Sequence, residues 1–441
     1  MCWRYAVRIL LAILAILAIL AAVFPVQAAN VAVGATKEVA SEEWAGATSR
    51  PPLSSDQSPS SPDPKVGIPQ GSKAVQTEDP KQETPVQPAS AGARGATNSA
   101  KSTASNSNNS KNITFTPGFR LQVRYIHDRE SGKNEFFVAR LRLKAKGELF
   151  HTVRYYTELK IDTLGRSGKN PTAELENAWL EYSVAPNLAI RAGLYDAPFS
   201  RNALTSDSKL LLIDRSLIKD ALTSVGFADN TTGLLGHGRP FKGRLEYSLG
   251  MFNNEKFRKI GAPGANQSAY MMPAGRIVYD FLDPAPRGGY ADYQSSYVGK
   301  GKRLSLGANS AYLRKARDTV NEFNLLGWGT DLFFSTGPFT VEAEYDRLRK
   351  ELIGGNPAIQ VDGWYVQAGY LVWRRVEFAA RHQQLDPNVF VPNNRLRWTS
   401  VGSNIYFRKH NVKMQLEYTF RRGPGQAVKT DVLQMQMQVD F

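Results

Sequence analysis

The last ten residues, VLQMQMQVDF (432–441), alternate between apolar and polar side chains, and this alternation decides the fold. Apolar residues occupy the odd positions from 433 to 441, whereas three glutamines and an aspartate occupy the even positions from 434 to 440. A β-strand turns successive side chains to opposite faces, so this segment can show hydrocarbon to lipid and amides to water as one strand of a closed membrane barrel. The terminal aromatic residue, Phe441, is also typical of outer-membrane barrels.

The opposite end of the chain predicts export. Arg4 and Arg8 precede an apolar run at 9–24, and the small residues around Ala28 suit signal peptidase, so we expect residues 1–28 to be a signal peptide. The alternative is an uncleaved inner-membrane anchor, but the run is short for a full span of about 20 residues. Cys2 would leave with this peptide, which excludes disulfides and thiolate metal sites from the mature chain.

Residues 29–112 are rich in Ser, Pro, Ala, Gly, Gln and Asn, with eight basic and eight acidic residues. So little apolar surface cannot offset the entropy of ordering, and we expect a disordered tether. An inert spacer is its default interpretation. The alternative is a periplasmic arm that contacts the cell wall or lines the barrel entrance.

The formal charge of the chain is +15, of which Arg4 and Arg8 contribute two and the tether none, so +13 belongs to residues 113–441. Such basicity usually indicates nucleic-acid binding. A barrel in the outer membrane does not meet nucleic acid, and small anions are the partners that we expect instead.

Residues 113–441 divide into sixteen alternating stretches separated by Gly, Pro, Asn and Asp clusters. This pattern predicts an all-β protein, a 16-stranded antiparallel transmembrane β-barrel in contact with outer-membrane lipid and wide enough for an aqueous channel. An even strand count places both ends of the barrel on the periplasmic side. Short turns, such as those at 185–186, 336–337 and 409–410, would then be periplasmic, and longer insertions would face outward.

Charged residues in the first five strands indicate which way these strands face. In the second strand, apolar residues at 139, 141, 143 and 145 alternate with cations, and a cation on the lipid face costs about 2 to 4 kcal/mol at the midplane. The cations must therefore point into the lumen. The inward residues predicted in this way are Arg120, Arg124, Arg140, Arg142, Lys144, Lys146, Arg154, Glu158, Lys160 and Arg191.

Nine of these ten charges are positive, so the first five strands are predicted to form a basic wall, whereas later strands carry mixed charges such as Glu342, Glu344, Glu377 and Arg381. One inward charge is usually just solvated. A row of them in a narrow lumen focuses the potential and partly replaces the hydration shell of a passing phosphate or carboxylate.

The longest connection, 197–227, contains the apolar sequence LLLI at 210–213. Exposed loops seldom carry such a core. We expect this loop to fold back into the barrel, with the apolar residues on the inner wall and Arg201, Lys209, Arg215 and Lys219 towards the channel. The alternative is an extracellular loop or a subunit contact.

At this loop the chain resembles the phosphate-selective porin O and P family. The resemblance rests on LAIRAGLYDAPFSRNALTSDSKLLLIDRS (188–216), NTTGLLG (230–236), GPFTVEAEY (337–345), GWYVQAGYLVWRRVEFAARHQQLDP (363–387) and the ending from Val401. It implies a sixteen-stranded homotrimer, a third loop folded into the pore, and arginine and lysine arrays that guide anions to a constriction. Arg201 and Arg215 lie within the matching motif, and the resemblance gives them a pore-lining role.

Two other classes of function compete with a channel. An outer-membrane enzyme would need catalytic residues, but none of the five histidines lies in an HExxH motif and no GxSxG elbow is present. A structural barrel that anchors the tether is the other class. We therefore expect no enzyme, cofactor or metal, but a passive channel for small anions, with its preference for phosphate or other oxyanions left open.

Overall fold

A computed structural model describes residues 113–254, 256, 270–284, 286, 290–317, 321–354, 358–424 and 430–441. The predicted signal peptide (1–28) and tether (29–112) lie outside these residues. No helix in the described part of the chain is long and apolar enough to cross a membrane.

The described residues form one closed antiparallel barrel of sixteen strands, as the alternation predicts. Each strand pairs with its neighbours in the chain, and β1 closes the barrel on β16 through the pairs from Arg120–Asp440 to Asp128–Val432. The strands are β1 (Thr116–Asp128), β2 (Asn134–Leu149), β3 (Val153–Leu164), β4 (Ala173–Ala185), β5 (Leu188–Asp196), β6 (Asn230–Gly238), β7 (Leu245–Phe252), β8 (Met272–Asp280), β9 (Lys302–Arg317), β10 (Glu322–Thr336), β11 (Phe339–Leu352), β12 (Ile359–Trp373), β13 (Val376–Asp386), β14 (Leu396–Arg408), β15 (Val412–Arg422) and β16 (Val432–Asp440).

The two faces of β16 match the faces predicted from its sequence. Gln434, Gln436 and Gln438 are buried in the lumen, whereas Met437 on the opposite face is 56% exposed. Large apolar residues are exposed in the same way around the barrel, as at Leu180, and they form its outer surface. The hydrophobic effect and the satisfied backbone ladder thus select this fold together.

One residue of β2 departs from the alternation. Ala139 is predicted to face outward, but the pairing of β1 with β2 shifts between Gln122 and Val123, and Ala139 is the residue without a partner in this bulge. It is buried, and Phe137 beyond the bulge is buried as well. A bulge adds one residue to a strand, so it reverses the faces of the residues that follow.

The connection between β5 and β6, residues 197–229, lies inside the barrel, as predicted from its apolar centre. We call it the β5–β6 loop. It contains two short helices, α1 (Arg201–Leu204) and α2 (Leu217–Ser224), and a 3₁₀ turn (Asp207–Lys209). The residues at 210–213 are all buried, and two of them pack on Ala379 of β13.

The connection between β8 and β9 (281–301) also enters the lumen through its described residues 290–297, but from the opposite end. We call it the β8–β9 segment. It joins an even strand to an odd one, so it leaves the barrel wall at the same end as the short turns at 185–186 and 409–410. The expectation that every long insertion lies at the other end is therefore wrong. Tyr293 and Tyr297 of this segment are buried, which explains why a long connection is stable at the short-turn end.

Candidate functional site

The β5–β6 loop is fixed to the inner wall of the barrel formed by β11 to β16. Arg201 and Glu342 form an ion pair at 3.4 Å, with side chains only 1% and 0% exposed. The wall also donates to backbone carbonyls of the loop: Asn404 donates to Leu211 and Lys413 to Leu210, both at 2.9 Å. Among the mixed charges predicted on the later strands, Glu342, Glu344 and Arg381 contact this loop, whereas Glu377 accepts a hydrogen bond from Ser296 of the β8–β9 segment.

The β8–β9 segment is joined to the β5–β6 loop by backbone and side-chain contacts. Tyr293 forms a parallel β-bridge with Thr205, and the Ser295 amide donates to the Lys209 carbonyl at 3.1 Å. Lys209 and Asp292 form an ion pair. The two inward segments therefore narrow the lumen as one unit.

A cavity of about 800 Å³ remains between this unit and the wall of β1 to β5. Eight of the thirteen cations predicted to line the pore lie on the surface of this cavity. They are Arg120, Arg142, Lys144, Lys146, Arg154, Arg191, Lys209 and Arg215. Lys146 is exposed and forms no ion pair among the described residues.

The structure places the other five predicted cations around the cavity rather than on its surface. Arg124 contacts Asp214 at 2.8 Å, Arg140 contacts Asp207 at 3.0 Å, and Lys160 bonds carboxylates of β4. Arg201 is buried in the anchor of the loop, because its carboxylate partner projects from the wall behind it. Lys219 lies on α2, half-buried.

Carboxylates balance the cations on the cavity surface, and of these only Glu158 and Asp440 were placed on an inward face by the sequence analysis. Eight of them line it: Glu148, Glu158, Glu176, Glu181, Asp196, Asp207, Asp292 and Asp440. The alternation of β3, β4 and β16 places Glu158, Glu181 and Asp440 on the inward face, so the signal for these three was present in the sequence. Their pairing with particular cations depends on the register of neighbouring strands.

Three of these carboxylates each bridge two cations. Asp440 contacts Arg120 at 3.0 Å and Lys144 at 2.6 Å. Glu181 contacts Arg191 at 2.6 Å and also pairs with Arg154. Each of these clusters has one formal positive charge in excess.

The third bridging carboxylate is Asp207 in the β5–β6 loop, which contacts Arg140 at 3.0 Å and Arg215 at 2.8 Å. Burial alone would raise the pKa of Asp207, but the positive charges of Arg140 and Arg215 hold it well below its usual value. Asp207 is therefore ionised, and the loop is fixed across the lumen to β2.

Two clusters on β2 to β4 have the opposite excess. Arg142 pairs with both Glu158 and Asp162, and Lys160 with both Glu174 and Glu176. Asp162 and Glu174 lie nearer the end of the barrel opposite the short turns. The excess charge thus changes from negative at that end to positive beside the two inward segments.

Aromatic residues also line the cavity, and the sequence analysis did not assign them to it. They are Tyr155, Tyr156, Trp179, Tyr195, Tyr290 and Phe441. The Arg191 guanidinium lies over the Trp179 ring, 3.7 Å from its centroid, and 4.9 Å from that of Tyr290. Among the described residues, no group of His, Cys, Asp and Glu is arranged to hold a metal ion.

Comparison with known proteins identifies the class of this barrel. The family model for phosphate-selective porin O and P matches residues 118–441, which is the barrel almost in full. The chain therefore belongs to this family of channel proteins, and it is an outer-membrane protein of a Gram-negative-type bacterium. An uncharacterised protein of Aquifex aeolicus (strain VF5) is 24% identical over 348 residues, which cover 70% of this chain and 81% of that protein.

Solved structures, one of them a porin, share the fold at low sequence identity. The anion-selective porin from Comamonas acidovorans is 12% identical, with a TM-score of 0.53 over 75% of this chain and 100% of that chain. OmpT of Vibrio cholerae, in its trimer form, is 10% identical, with a TM-score of 0.52 over the same shares. OmpF of Salmonella typhi in complex with daunomycin is 11% identical, with a TM-score of 0.54 over 74% of this chain and 97% of that chain.

Proposed function

We propose that the protein is a passive channel for small anions, phosphate and other oxyanions included, and not an enzyme. Solutes would cross the barrel through the cavity between the β1–β5 wall and the two inward segments. The whole cavity surface is charge-balanced, so its total charge does not carry this proposal. The proposal rests instead on where the excess positive charge lies within the cavity.

The observation that carries the proposal is the set of bridging carboxylates beside the inward segments. Asp207, Glu181 and Asp440 each hold two cations, so each cluster retains one positive charge. Glu181 is 1% exposed, whereas its partner Arg154 is 41% exposed and reaches the cavity. A narrow, low-dielectric lumen strengthens such local charges, and anions would be enriched there.

The reversal potential of the purified protein in a planar bilayer, under a salt gradient, tests this proposal. Anions should carry most of the current. Lys146→Glu should shift the reversal potential towards cations, because Lys146 is exposed in the cavity and its charge is not compensated by an ion pair among the described residues. Lys409→Glu is the matched control, since Lys409 is exposed in a turn and does not line the cavity. Cation preference in the unmodified protein would refute the anion channel.

A closed structural barrel is the second candidate, because two segments occupy its lumen from opposite ends. Conductance separates the two functions: a structural barrel would show no ohmic current, and a channel would show a steady one. Repeating the measurement in phosphate, sulfate and chloride would rank these anions.

We also propose that the channel assembles as a homotrimer in outer-membrane lipid and that residues 29–112 contact the cell wall. The family membership and the apolar outer surface support the assembly. Light scattering of the detergent-solubilised protein would give its subunit number, and peptidoglycan sedimentation with and without residues 29–112 would test the contact.

A further inference from the structure

One part of the cavity wall presents aromatic rings where the rest presents charges. Tyr156 of β3 and Trp179 of β4 are partners in the strand register, and their ring centroids are 5.7 Å apart with planes tilted by 33°. Both residues line the cavity. On the neighbouring strand β5, Trp179 pairs with Gly193, so the position next to the two rings in the sheet carries no side chain.

Gly193 is required at this position for two reasons. Its φ of 134° lies in the region that favours glycine, and a Cβ there would approach Trp179 Cα to 2.7 Å. Trp179 is held from the β5 side, because the Arg191 guanidinium stacks on its ring and is itself fixed by Glu181, and the Tyr156 hydroxyl donates to Glu158. Tyr156 and Trp179 thus form a preorganised, partly apolar surface.

Cations lie along the edge of this surface. Lys146 of β2 is the register partner of Tyr156, and it is exposed. Arg154 lies one inward position before Tyr156 on β3, with its side chain 41% exposed. We call Lys146, Arg154, Tyr156 and Trp179 the ring patch.

We propose that the ring patch binds aromatic carboxylates on their way through the channel. Resting on the proposed anion channel, this inference names a class of its solutes. The faces of the rings make no apolar contact with inorganic phosphate, because phosphate has no apolar surface to bury. A bound aromatic ring would stack on Tyr156 and Trp179 and bury apolar surface that was in contact with water. Its carboxylate would pair with Lys146 or Arg154. A cavity of about 800 Å³ has the size of a small-molecule site.

The test is block of the chloride current by benzoate, acetate and cyclohexanecarboxylate at equal ionic strength and pH 7. Stacking on each of the two rings should increase the affinity for benzoate a few-fold. The half-blocking concentration of benzoate should therefore be roughly tenfold lower than that of acetate. Cyclohexanecarboxylate has the ring size without the aromatic face, so it should block more weakly than benzoate. Equal block by benzoate and acetate, or by the two ring acids, would overturn the proposal.

Substitutions then locate the site. Trp179→Leu and Tyr156→Leu should each weaken benzoate block several-fold and leave acetate block unchanged. Tyr182→Leu is the matched control, because Tyr182 is on β4 but 51% exposed on the outer face. Lys146→Gln should weaken block by both acids. If the control weakens benzoate block as much as Trp179→Leu does, benzoate acts through the bilayer and the site is refuted.

The result also separates this inference from the proposed function. An unmodified channel that prefers cations would refute the anion channel itself. An anion-selective channel with equal block by all three acids would retain the anion channel and refute the ring patch alone.

Discussion

Replacing Arg201 with methionine tests whether a buried ion pair holds the β5–β6 loop in the lumen. Both side chains of the Arg201–Glu342 pair are almost completely buried, at 1% and 0% exposure. The guanidinium also lies 4.2 Å from the centroid of Phe333, and it donates to the Gln294 carbonyl of the β8–β9 segment at 3.3 Å. Methionine retains much of the volume and removes the charge.

The expected cost follows from what remains around Glu342. Breaking a buried pair from one side typically costs about 3 to 5 kcal/mol, because the other charge is left uncompensated. Glu342 keeps hydrogen bonds from Tyr365 at 2.7 Å and Gln367 at 3.1 Å, so we expect the lower limit, about 3 kcal/mol. The barrel ladder does not depend on this pair. The lost free energy therefore weakens docking of the β5–β6 loop onto the barrel wall. It corresponds to roughly a 150-fold change in the equilibrium between the docked and undocked loop.

Single-channel recording measures this change directly. Arg201→Met should show a larger conductance state, or reach it more often, and protease should cleave the β5–β6 loop faster. Arg349→Met is the matched control, since the Arg349–Glu351 pair is more than half exposed on each side and contributes at most about 1 kcal/mol. The double change Arg201→Met with Glu342→Leu should restore docking in part. Unchanged conductance and unchanged cleavage in Arg201→Met would refute the buried anchor.

Three further predictions concern charge. Asp440→Asn leaves Arg120 and Lys144 without their shared carboxylate, so the reversal potential should shift further towards anions. Raising the salt from about 0.1 M to 1 M should reduce the anion preference, because the screening length falls from about 10 to 3 Å. Burial lowers the pKa of His410 to about 3, so below pH 6.5 the unfolded chain binds a proton that the folded chain does not. His410 alone should therefore contribute a loss of about 1.4 kcal/mol in stability per pH unit from 6.5 towards 3, and His410→Gln should remove this contribution in thermal unfolding of the detergent-solubilised protein.

The sequence predicted the strands and their faces because lipid and water impose a strict period of two. The polarity of a residue such as Met437 or Gln438 predicts whether its side chain faces lipid or water, and the rest of the chain is not needed for this prediction. The β5–β6 loop was predictable for a related reason, since four consecutive apolar residues at 210–213 need a dry surface to contact. The same reasoning applies to Tyr290, Tyr293 and Tyr297 in the β8–β9 segment, which lie in a connection without such an apolar run.

The net field in the lumen could not be predicted from one strand at a time. Arg120 and Asp440 belong to the first and last strands, and they meet because the barrel closes between β1 and β16. Arg154, Glu181 and Arg191 meet because three successive strands have a particular register. A bulge of one residue, as at Ala139, changes which charges face each other. The local sequence thus determines which charged side chains of a strand face the lumen. The net charge that a passing solute meets depends on the register between strands, and this register is fixed when the whole barrel forms.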